Sequence, residues 1–486
     1  MNIETKHLLA LLLLVAFGAA GFFLALISQR VRDAMLFFLV VGSVFVERMD
    51  VTFAGVFWYR GTARGYEISL LDIIPLCLLA ATWLLPRYPR GRFYWPASLG
   101  MLCVYFCYCW WSVEHSFPQN YGYWELTKIF RSLLVFLSVA LFVRTRREVG
   151  IVVLALACTT CLEGFNCLEQ RFLRGAFRAH GTLDHENTLS SYLCAVGPVL
   201  LAATLADWSK WFRWFTGFSF LMAAGAELLT VSRMGVPAFA VVSLGTAIAC
   251  TSWRLSVRKV LIVASVATVL GAMLFFSWDA LKERFMQGNI RAELTNKHEF
   301  ETRGVYWRIA KLMVEDHPYG VGLNNWSYWV GKQYGRELGY PYNDYDDIKW
   351  TPTKDDARQI LLPPAADTLP GLTLGELGYA GLAILTLVWF RWFQMGAVFL
   401  RRRLNPDPMH RLGIGLMFGA AGMFLQSATE WTYRQTPVLF TFHVLMGTLA
   451  AVYHARKKSR AVAPDDNDGG QVEVEIVSTP VMPVGN

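Results

Sequence analysis

The sequence predicts an all-α polytopic membrane protein with about 12 or 13 transmembrane helices and one large, partly helical loop between late spans. Three observations lead to this prediction. Of the 486 residues, 54% are hydrophobic and only 17% are charged, against about 25% charged residues in soluble domains. Apolar runs long enough to cross a hydrocarbon core of about 30 Å recur along most of the chain. Basic clusters recur at every second short loop, which is the positive-inside pattern.

The apolar runs give these candidate spans in chain order: 8–27, 34–46, 69–86, 97–113, 125–143, 148–166, 189–206, 214–231, 235–252, 259–276, 371–391, 412–429 and 437–454. The run 34–46 is short for a crossing helix and is typical of a re-entrant or interfacial segment. Lys6 favours an inside N-terminus, whereas Arg30 and Arg32 favour the reverse. Both topologies therefore stay open.

Four regions follow from this pattern. Residues 1–276 hold the N-terminal transmembrane helices, 277–370 form a polar insert, 371–455 hold the C-terminal transmembrane helices, and 456–486 form a tail without periodicity that we expect to be disordered. The basic loops place the insert outside the membrane and the C-terminus inside. Because the net charge of +8 comes mainly from those loops, it does not indicate a nucleic-acid partner.

The insert is predicted to fold as helix, loop and helix. Apolar residues recur there at helical spacing, namely Tyr306, Ile309, Ala310, Met313 and Val314. The pair His317-Pro318 and the glycines that follow should end this helix. An aromatic stretch comes next, with Trp326, Tyr328, Trp329, Tyr334, Tyr340, Tyr342 and Tyr345. Stacking on sugar rings and anchoring at lipid headgroups are both open interpretations of it.

Several arginines are expected to lie near the outer face. A charged group in a membrane needs a reason, because it costs about 2.5 kcal/mol or more at the bilayer centre. Arg131, Arg233 and Arg303 suit a diphosphate, because a guanidinium binds phosphate oxygens two at a time. The alternative is that each arginine pairs with a carboxylate, such as Glu227 or Glu376, and only makes the bundle more rigid.

A third outer segment runs from Arg178 through His185 and Asn187 into the seventh span. Its histidines and carboxylates match no strong metal-ligand spacing, so no metal is expected. Asp184 or Asn187 could instead cap the helix that follows.

Three stretches together resemble the O-antigen ligase and polymerase superfamily of bacterial envelope glycosyltransferases. These are Gly181–Leu193, Thr230-Val-Ser-Arg233-Met-Gly235, and Arg303-Gly-Val-Tyr-Trp307 continuing to His317-Pro-Tyr-Gly-Val-Gly322. A fourth, Gly375-Glu376-Leu-Gly378-Tyr-Ala-Gly381, resembles the family's glycine-rich entry to the span after its large periplasmic loop. The resemblance implies transfer of a glycan from undecaprenyl diphosphate to a glycan, lipid or protein hydroxyl, without metal or cofactor. It further implies a bacterial inner membrane location.

The resemblance also implies roles for particular residues. The family's essential arginines match Arg233 and Arg303, while the position of its usual base histidine is Asp367 here. Aspartate is a weaker base, with an unperturbed pKa near 3.9 against about 6.5 for histidine, and His185, His298 and His317 are the alternatives. The candidate substrate-binding residues are Arg131, Arg308, His185, Asn187, His317, Trp307, Trp326 and Glu376. A non-catalytic lipid-linked glycan binder or transporter is the competing interpretation.

Overall fold

The computed structural model describes residues 5–56, 59–85, 94–251, 303–335, 368–401 and 407–462, with isolated positions between 256 and 282. The helices are α1 (Thr5–Ile27), α2 (Gln29–Met49), α3 (Ile73–Leu84), α4 (Leu99–Glu114), α5 (Gln119–Phe142), α6 (Arg146–Leu168), α7 (Glu186–Leu205), α8 (Lys210–Thr230), α9 (Gly235–Cys250), α10 (Arg303–Asp316), α11 (Trp326–Lys332), α12 (Leu369–Ala397), α13 (Pro408–Ser427) and α14 (Thr436–Val462). Most of the predicted span 259–276 falls outside the described residues.

Long apolar helices confirm an α-helical membrane protein. Four described stretches are long and apolar enough to cross a membrane by length and composition, namely Arg146–Leu173, Glu186–Leu205, Leu369–Leu400 and Thr436–Lys457. Shorter apolar helices cover Leu12–Ile27, Leu70–Leu84 and Gly235–Cys250. The predicted total of 12 or 13 spans stays a prediction.

The structure differs from the sequence prediction at three places. The apolar run 34–46 is the middle of one continuous helix, α2, because polar residues extend it at both ends. A two-stranded antiparallel hairpin, β1 (Val51–Phe53) with β2 (Tyr66–Ile68), interrupts the all-α pattern. Residues 456–462, which we expected to be disordered, continue helix α14.

Small residues bring α7 and α13 close together in the core. A Cβ atom on Gly415 would meet the carbonyl oxygen of Pro198 at 2.8 Å, and one on Gly419 would meet that of Ala195 at 2.3 Å. A Gly-xxx-Gly spacing of this kind lets helix backbones approach closely in membrane proteins. Helix α7 also packs against α6, α8 and α9, so it lies at the centre of the bundle.

The described part of the insert is helix, loop and helix, as predicted. Helix α10 ends at Asp316, immediately before His317-Pro318. Its periodic apolar residues are buried in one cluster, which also contains Trp326 of α11 and Leu372 of α12. The insert therefore has a small hydrophobic core of its own, and this core is completed by the helix that follows it in the chain.

Candidate active site

Arg233 lies in a tight turn between α8 and α9. Helix α8 ends with Val231 in the left-handed conformation, at φ 51° and ψ 38°. The backbone N–H of Ser232 donates to the Thr230 hydroxyl at 3.2 Å, and the N–H of Gly235 donates to the Ser232 hydroxyl at 3.2 Å. These side-chain bonds satisfy backbone groups that the helix ends leave without a partner. The turn is thereby fixed, and the Arg233 side chain in it is half-buried.

The segment before α7 packs directly on this turn. The backbone N–H of Ala179 donates to the carbonyl of Leu229 at 2.9 Å. The side-chain oxygen of Asn187 accepts from Arg178 at 3.3 Å and lies 3.5 Å from the Ser232 hydroxyl. Two stretches that are far apart in the sequence, both chosen for their motifs, therefore meet in the fold.

Arg178 joins these two stretches, although its role was not predicted from the sequence. Its Nε donates to the carbonyl of Thr230 at 3.1 Å, and its Nη1 lies 2.8 Å from Glu186 Oε1. Both charged side chains of this ion pair are partly exposed, at 18% and 19%. Arg178 is the first residue of the outer segment before α7, and its contact with the Thr230 carbonyl supports the turn that holds Arg233.

His185 caps helix α7. Its Nδ1 accepts the backbone N–H of Asn187 at 3.1 Å, and its backbone is extended as expected of an N-cap residue. The expectation that Asp184 or Asn187 provides the cap was therefore wrong, because the free backbone N–H at the start of α7 is bonded to the His185 imidazole. Desolvation lowers the pKa of His185, although the neighbouring Glu186 acts in the opposite direction.

Helix α10 carries three of the candidate residues. Arg303 is its first residue, Trp307 is 38% exposed, and Arg308 is exposed. A Cβ atom on Gly371 would meet the Trp307 ring at 3.4 Å. The Trp307 side chain therefore lies beside the first turn of α12 while part of it stays in solvent.

The glycine-rich stretches of the insert and of α12 pair with each other. The backbone N–H of Val321 donates to the carbonyl of Gly375 at 2.9 Å, and that of Gly322 donates to the carbonyl of Glu376 at 2.9 Å. Helix α12 is interrupted at Gly378, with φ 66° and ψ −170°. Such an interruption frees carbonyls that a continuous helix would use four residues later.

Two glycines allow this close approach. A Cβ atom on Gly320, at φ 85°, would lie 2.3 Å from the carbonyl oxygen of Glu376. One on Gly378 would lie 2.4 Å from the carbonyl oxygen of Pro318. Both positions also have a positive φ, which glycine adopts without steric cost. The glycines thus hold the loop after α10 against the break in α12.

The aromatic residues of α11 are mostly core residues. Trp326 and Tyr328 are each 1% exposed, and Tyr334 is 6% exposed. Trp326 and Tyr334 pack in the core of the insert, and Tyr328 packs against Tyr59 and Tyr121. Neither of the two open interpretations describes these buried rings. The Trp326 indole fits over Gly375, where a Cβ would lie only 2.5 Å from the ring. Tyr340, Tyr342, Tyr345 and His298 lie outside the described residues.

Glu376 belongs to a buried network of four charges. Arg434 Nη1 lies 2.5 Å from Glu376 Oε2, and Arg434 Nε lies 3.0 Å from Glu125 Oε1. Lys128 Nζ lies 2.6 Å from Glu125 Oε2. Each of these side chains is at most 5% exposed. Two cations and two carboxylates thus neutralise one another away from solvent, which is the condition under which buried charges persist.

The same network ties several segments to the insert. Arg434 Nη2 and Lys128 Nζ donate to the hydroxyl and the carbonyl of Thr62, at 3.1 Å and 2.7 Å. The side chain of Asn324 accepts from the N–H of Thr62 at 2.7 Å and donates to the carbonyl of Tyr121 at 2.8 Å. The loop between the hairpin strands, helix α5 and the insert therefore meet at one polar centre.

The segment between α13 and α14, residues 428–435, connects this network to α7 and to the start of α12. The hydroxyl of Thr432, two residues before Arg434, lies 2.6 Å from that of Ser191 in α7. The carbonyl of Glu430 accepts the N–H of Leu369, the first residue of α12, at 3.3 Å. Sequence analysis missed Arg434, because its partners lie far away in the chain.

Arg131 lies in a separate group of carboxylates. Its guanidinium is 2.6 Å from Asp50, 2.8 Å from Asp72 and 3.9 Å from Glu67. Burial raises the pKa of Asp50, and Arg131 opposes that increase. This arrangement fits the ion-pair alternative for Arg131 better than a diphosphate ligand, because carboxylates already occupy its donors.

The two carboxylates that were candidate partners for arginines lie elsewhere. Glu376 pairs with Arg434, as described above. Glu227 is buried and accepts a hydrogen bond from the Ser190 hydroxyl at 2.6 Å. Neither of them is the partner of Arg131, which pairs with Asp50 and Asp72 instead.

Asp367 lies outside the described residues. The residue after it, Thr368, caps α12 by accepting the backbone N–H of Gly371 at 3.2 Å. In the ranges that the structure describes, no group of three or more histidine, cysteine, aspartate or glutamate side chains could hold a metal ion.

A comparison with protein families identifies the central part of the chain. The sequence model of the O-antigen ligase family matches residues 218–357. This stretch is similar to an O-antigen ligase domain. It contains Arg233, Arg303, Arg308, Trp307, His317 and Trp326, so the resemblance noted in the sequence is confirmed. A search of curated proteins finds no match for the chain. The family match and the apolar helices together support a membrane protein that is similar to O-antigen ligases.

Proposed function

We propose that the protein transfers a glycan from a polyprenyl-diphosphate carrier to an acceptor hydroxyl during synthesis of cell-envelope polysaccharide. The observation that carries this proposal is the O-antigen ligase match at residues 218–357, which includes both Arg233 and Arg303. The expected setting is the bacterial inner membrane, with residues 277–370 on the periplasmic side and the C-terminus in the cytoplasm. Undecaprenyl diphosphate is the expected carrier, and a glycan, lipid or protein is the expected acceptor.

The reaction exchanges one bond at the anomeric carbon. The acceptor oxygen forms a bond to that carbon, the bond to the diphosphate oxygen breaks, and its electron pair stays on the diphosphate. Arg233 and Arg303 have the role of stabilising this charge, which preorganised donors do effectively in a site with little water. Asp367 has the role of accepting the acceptor's proton, and no metal takes part in the proposed step.

The first test is glycan release by the purified protein reconstituted with polyprenyl-diphosphate lipids extracted from its host. We expect release by the wild type and a rate lower by about 10² to 10³ for Arg303→Ala, because one charge-stabilising donor is lost. Lys311→Ala is the matched control, because Lys311 is an exposed basic residue of the same helix. Absence of release from a folded wild type that binds its donor would contradict the proposal.

Asp367→Ala separates the enzyme from a non-catalytic binder or transporter. An enzyme that uses Asp367 as its base should lose turnover by about 10² to 10⁴, while its affinity for the donor lipid stays the same. Asp356→Ala, in the same insert, is the matched control. If both variants transfer glycan at the wild-type rate, another group accepts the proton, and His317→Gln becomes the next variant to measure.

A further inference from the structure

An open cleft of about 360 Å³ lies between the end of α4 and the loop that follows α10. Its lining includes Trp111, His115, Asp316, His317, Tyr319 and Gly320. The volume is near the lower end of the range for small-molecule sites, about 300 to 1,000 Å³. The cleft is separate from the Arg233 turn and from the Arg434 network, because it shares no lining residue with either.

Two aromatic rings form one corner of the cleft. The rings of Trp111 and Tyr319 meet edge to face, with centroids 5.5 Å apart and planes at 81°. Trp111 is 39% exposed and Tyr319 is 63% exposed. In contrast to the buried rings of α11, these two therefore offer aromatic surface to a ligand.

Polar groups stand beside the rings. His115 Nδ1 lies 2.8 Å from the carbonyl of Trp111, so it must be the donor in that bond, and Nε2 of the neutral ring is then an acceptor. Asp316 Oδ2 accepts from the Tyr334 hydroxyl at 2.9 Å and from Gln333 at 3.3 Å. The Asp316 carboxylate is thereby held in one orientation at the exposed end of α10.

The backbone of the cleft is fixed before any ligand arrives. The N–H of Gly320 donates to the carbonyl of His317 at 2.8 Å, and the next two residues pair with α12. The His317 ring packs against Trp329, with centroids 4.9 Å apart. A preorganised site of this kind loses little conformational freedom on binding.

We propose that this cleft is a carbohydrate-binding subsite that holds a sugar ring of the donor glycan or of a glycan acceptor. The inference rests on the proposed function and adds a binding position to it. The C–H face of a pyranose is apolar and packs on aromatic rings, while its hydroxyls donate to carboxylate and imidazole acceptors. The described lining contains no arginine or lysine and does contain a carboxylate, so it suits a neutral polyhydroxyl group better than a diphosphate.

The test measures glycan binding to the full chain in lipid nanodiscs by saturation-transfer NMR. One arm uses the glycan released by mild acid from the host's polyprenyl-diphosphate lipids, and the other uses the deacylated core oligosaccharide of the host's lipopolysaccharide. Neither probe carries a lipid or a diphosphate, so binding is scored independently of transfer. We expect binding in at least one arm, and the arm that binds identifies the source of the sugar.

Tyr319→Ala should weaken that binding by about threefold to tenfold, because an aromatic contact is lost. Tyr319→Phe should restore it, since the ring returns. Tyr379→Ala is the matched control, because Tyr379 is 64% exposed and lies outside the cleft. Asp316→Asn should also weaken binding. Glu315→Gln, at the exposed residue next to it, should leave binding unchanged.

Equal affinity of the wild type and Tyr319→Ala, or no binding of either probe to a folded wild type, would overturn the inference. The first of these results would assign the exposed rings to the lipid headgroups. Ring-dependent binding without any transfer would leave the subsite standing and reject the proposed function. Glycan transfer with a KM that Tyr319→Ala does not change would support the proposed function and reject the subsite.

Discussion

Two arginine-centred regions of this protein, one at Arg434 and one at Arg233, differ in how deeply their charged side chains are buried. Arg434 is 5% exposed and lies between two carboxylates that are at most 1% exposed. At the turn between α8 and α9, Arg233 is half-buried, and the nearby Arg178–Glu186 pair is 18% and 19% exposed. Sequence analysis singled out Arg233 in the second region and Glu376 in the first, but it missed Arg434.

This difference in burial indicates that the Arg434 network has a structural role, whereas the Arg233 turn is the candidate site. A closed network of buried charges is expensive to open, because removing one partner leaves an uncompensated charge. Such a network holds α5, α12 and the insert in one arrangement. Arg233, on a fixed turn, is only half-buried, so part of its side chain stays accessible. The four predictions below test this division, from the largest expected effect to the smallest.

Arg434→Ala should destabilise the protein by about 3 to 5 kcal/mol, because Glu376 and Glu125 would stay buried without their shared partner. The measurement is the free energy of unfolding in a detergent titration. Arg174→Ala is the control, because Arg174 lies 2.8 Å from Glu169 in a pair that is 66% and 42% exposed. That exposed pair should contribute less than about 1 kcal/mol. Similar losses in both variants would show that burial does not distinguish the two pairs.

Arg233→Ala should reduce the rate of glycan transfer by about 10² to 10³, through loss of a charge-stabilising donor. The free energy of unfolding should change by no more than about 0.5 kcal/mol, since the side chain is partly exposed. Arg233→Lys keeps the charge but not the bidentate geometry, and should recover only part of the rate. If Arg233→Ala loses much stability while its transfer rate per folded molecule stays unchanged, Arg233 has a structural role and not a catalytic one.

Gly378→Ala should destabilise the contact between α12 and the insert by about 1 to 3 kcal/mol, the usual cost of a strained backbone conformation. The new Cβ would also meet the Pro318 carbonyl oxygen at 2.4 Å. The readouts are unfolding and the rate of proteolysis within the insert. Gly304→Ala is the control, because a Cβ there meets nothing within 4 Å. It should be neutral or stabilising by up to about 1 kcal/mol.

Acid should weaken the cap of α7 by less than about 1 kcal/mol, because His185 is an exposed cap residue. Its pKa is lowered from the usual 6.5, so below pH 6.5 the unfolded chain binds the proton more readily than the folded one. Stability should therefore fall as the pH drops below 6.5, and level off below the folded-state pKa. His185→Asn keeps a cap acceptor without this titration. If the wild type and the variant show the same pH profile, His185 does not cause the change.

Sequence alone gave the helical elements where apolar runs are long, as for α6, α7, α12 and α14. Helix α2 was underestimated, because hydropathy does not detect its polar first and last turns. The hairpin was missed because each of its strands has only three residues, too few for an alternating pattern. The helical spacing of Tyr306 to Val314 did predict the buried face of α10.

Motifs predicted the parts of the candidate site but not their connections. The glycines before Trp326 and those around Glu376 belong to separate motifs, and only the structure shows that their backbones pair. Arg434 and Glu376 are 58 residues apart, and no local pattern specifies such a pair. The cleft at Trp111 and Tyr319 likewise joins two segments that no periodicity connects. Asp367 remains a prediction from the family resemblance.

The position of Arg434 near the end of the chain has a consequence for biosynthesis. During translation, Glu125 and Lys128 are synthesised early and Glu376 much later. Arg434, the cation that pairs with Glu376, is synthesised only after α13. Until then the nascent chain carries a carboxylate that is too costly to bury alone. The insert can therefore dock stably only once the segment between α13 and α14 has been made. Premature termination before residue 434 should yield chains recognisable to quality-control proteases, rather than shortened but assembled enzymes.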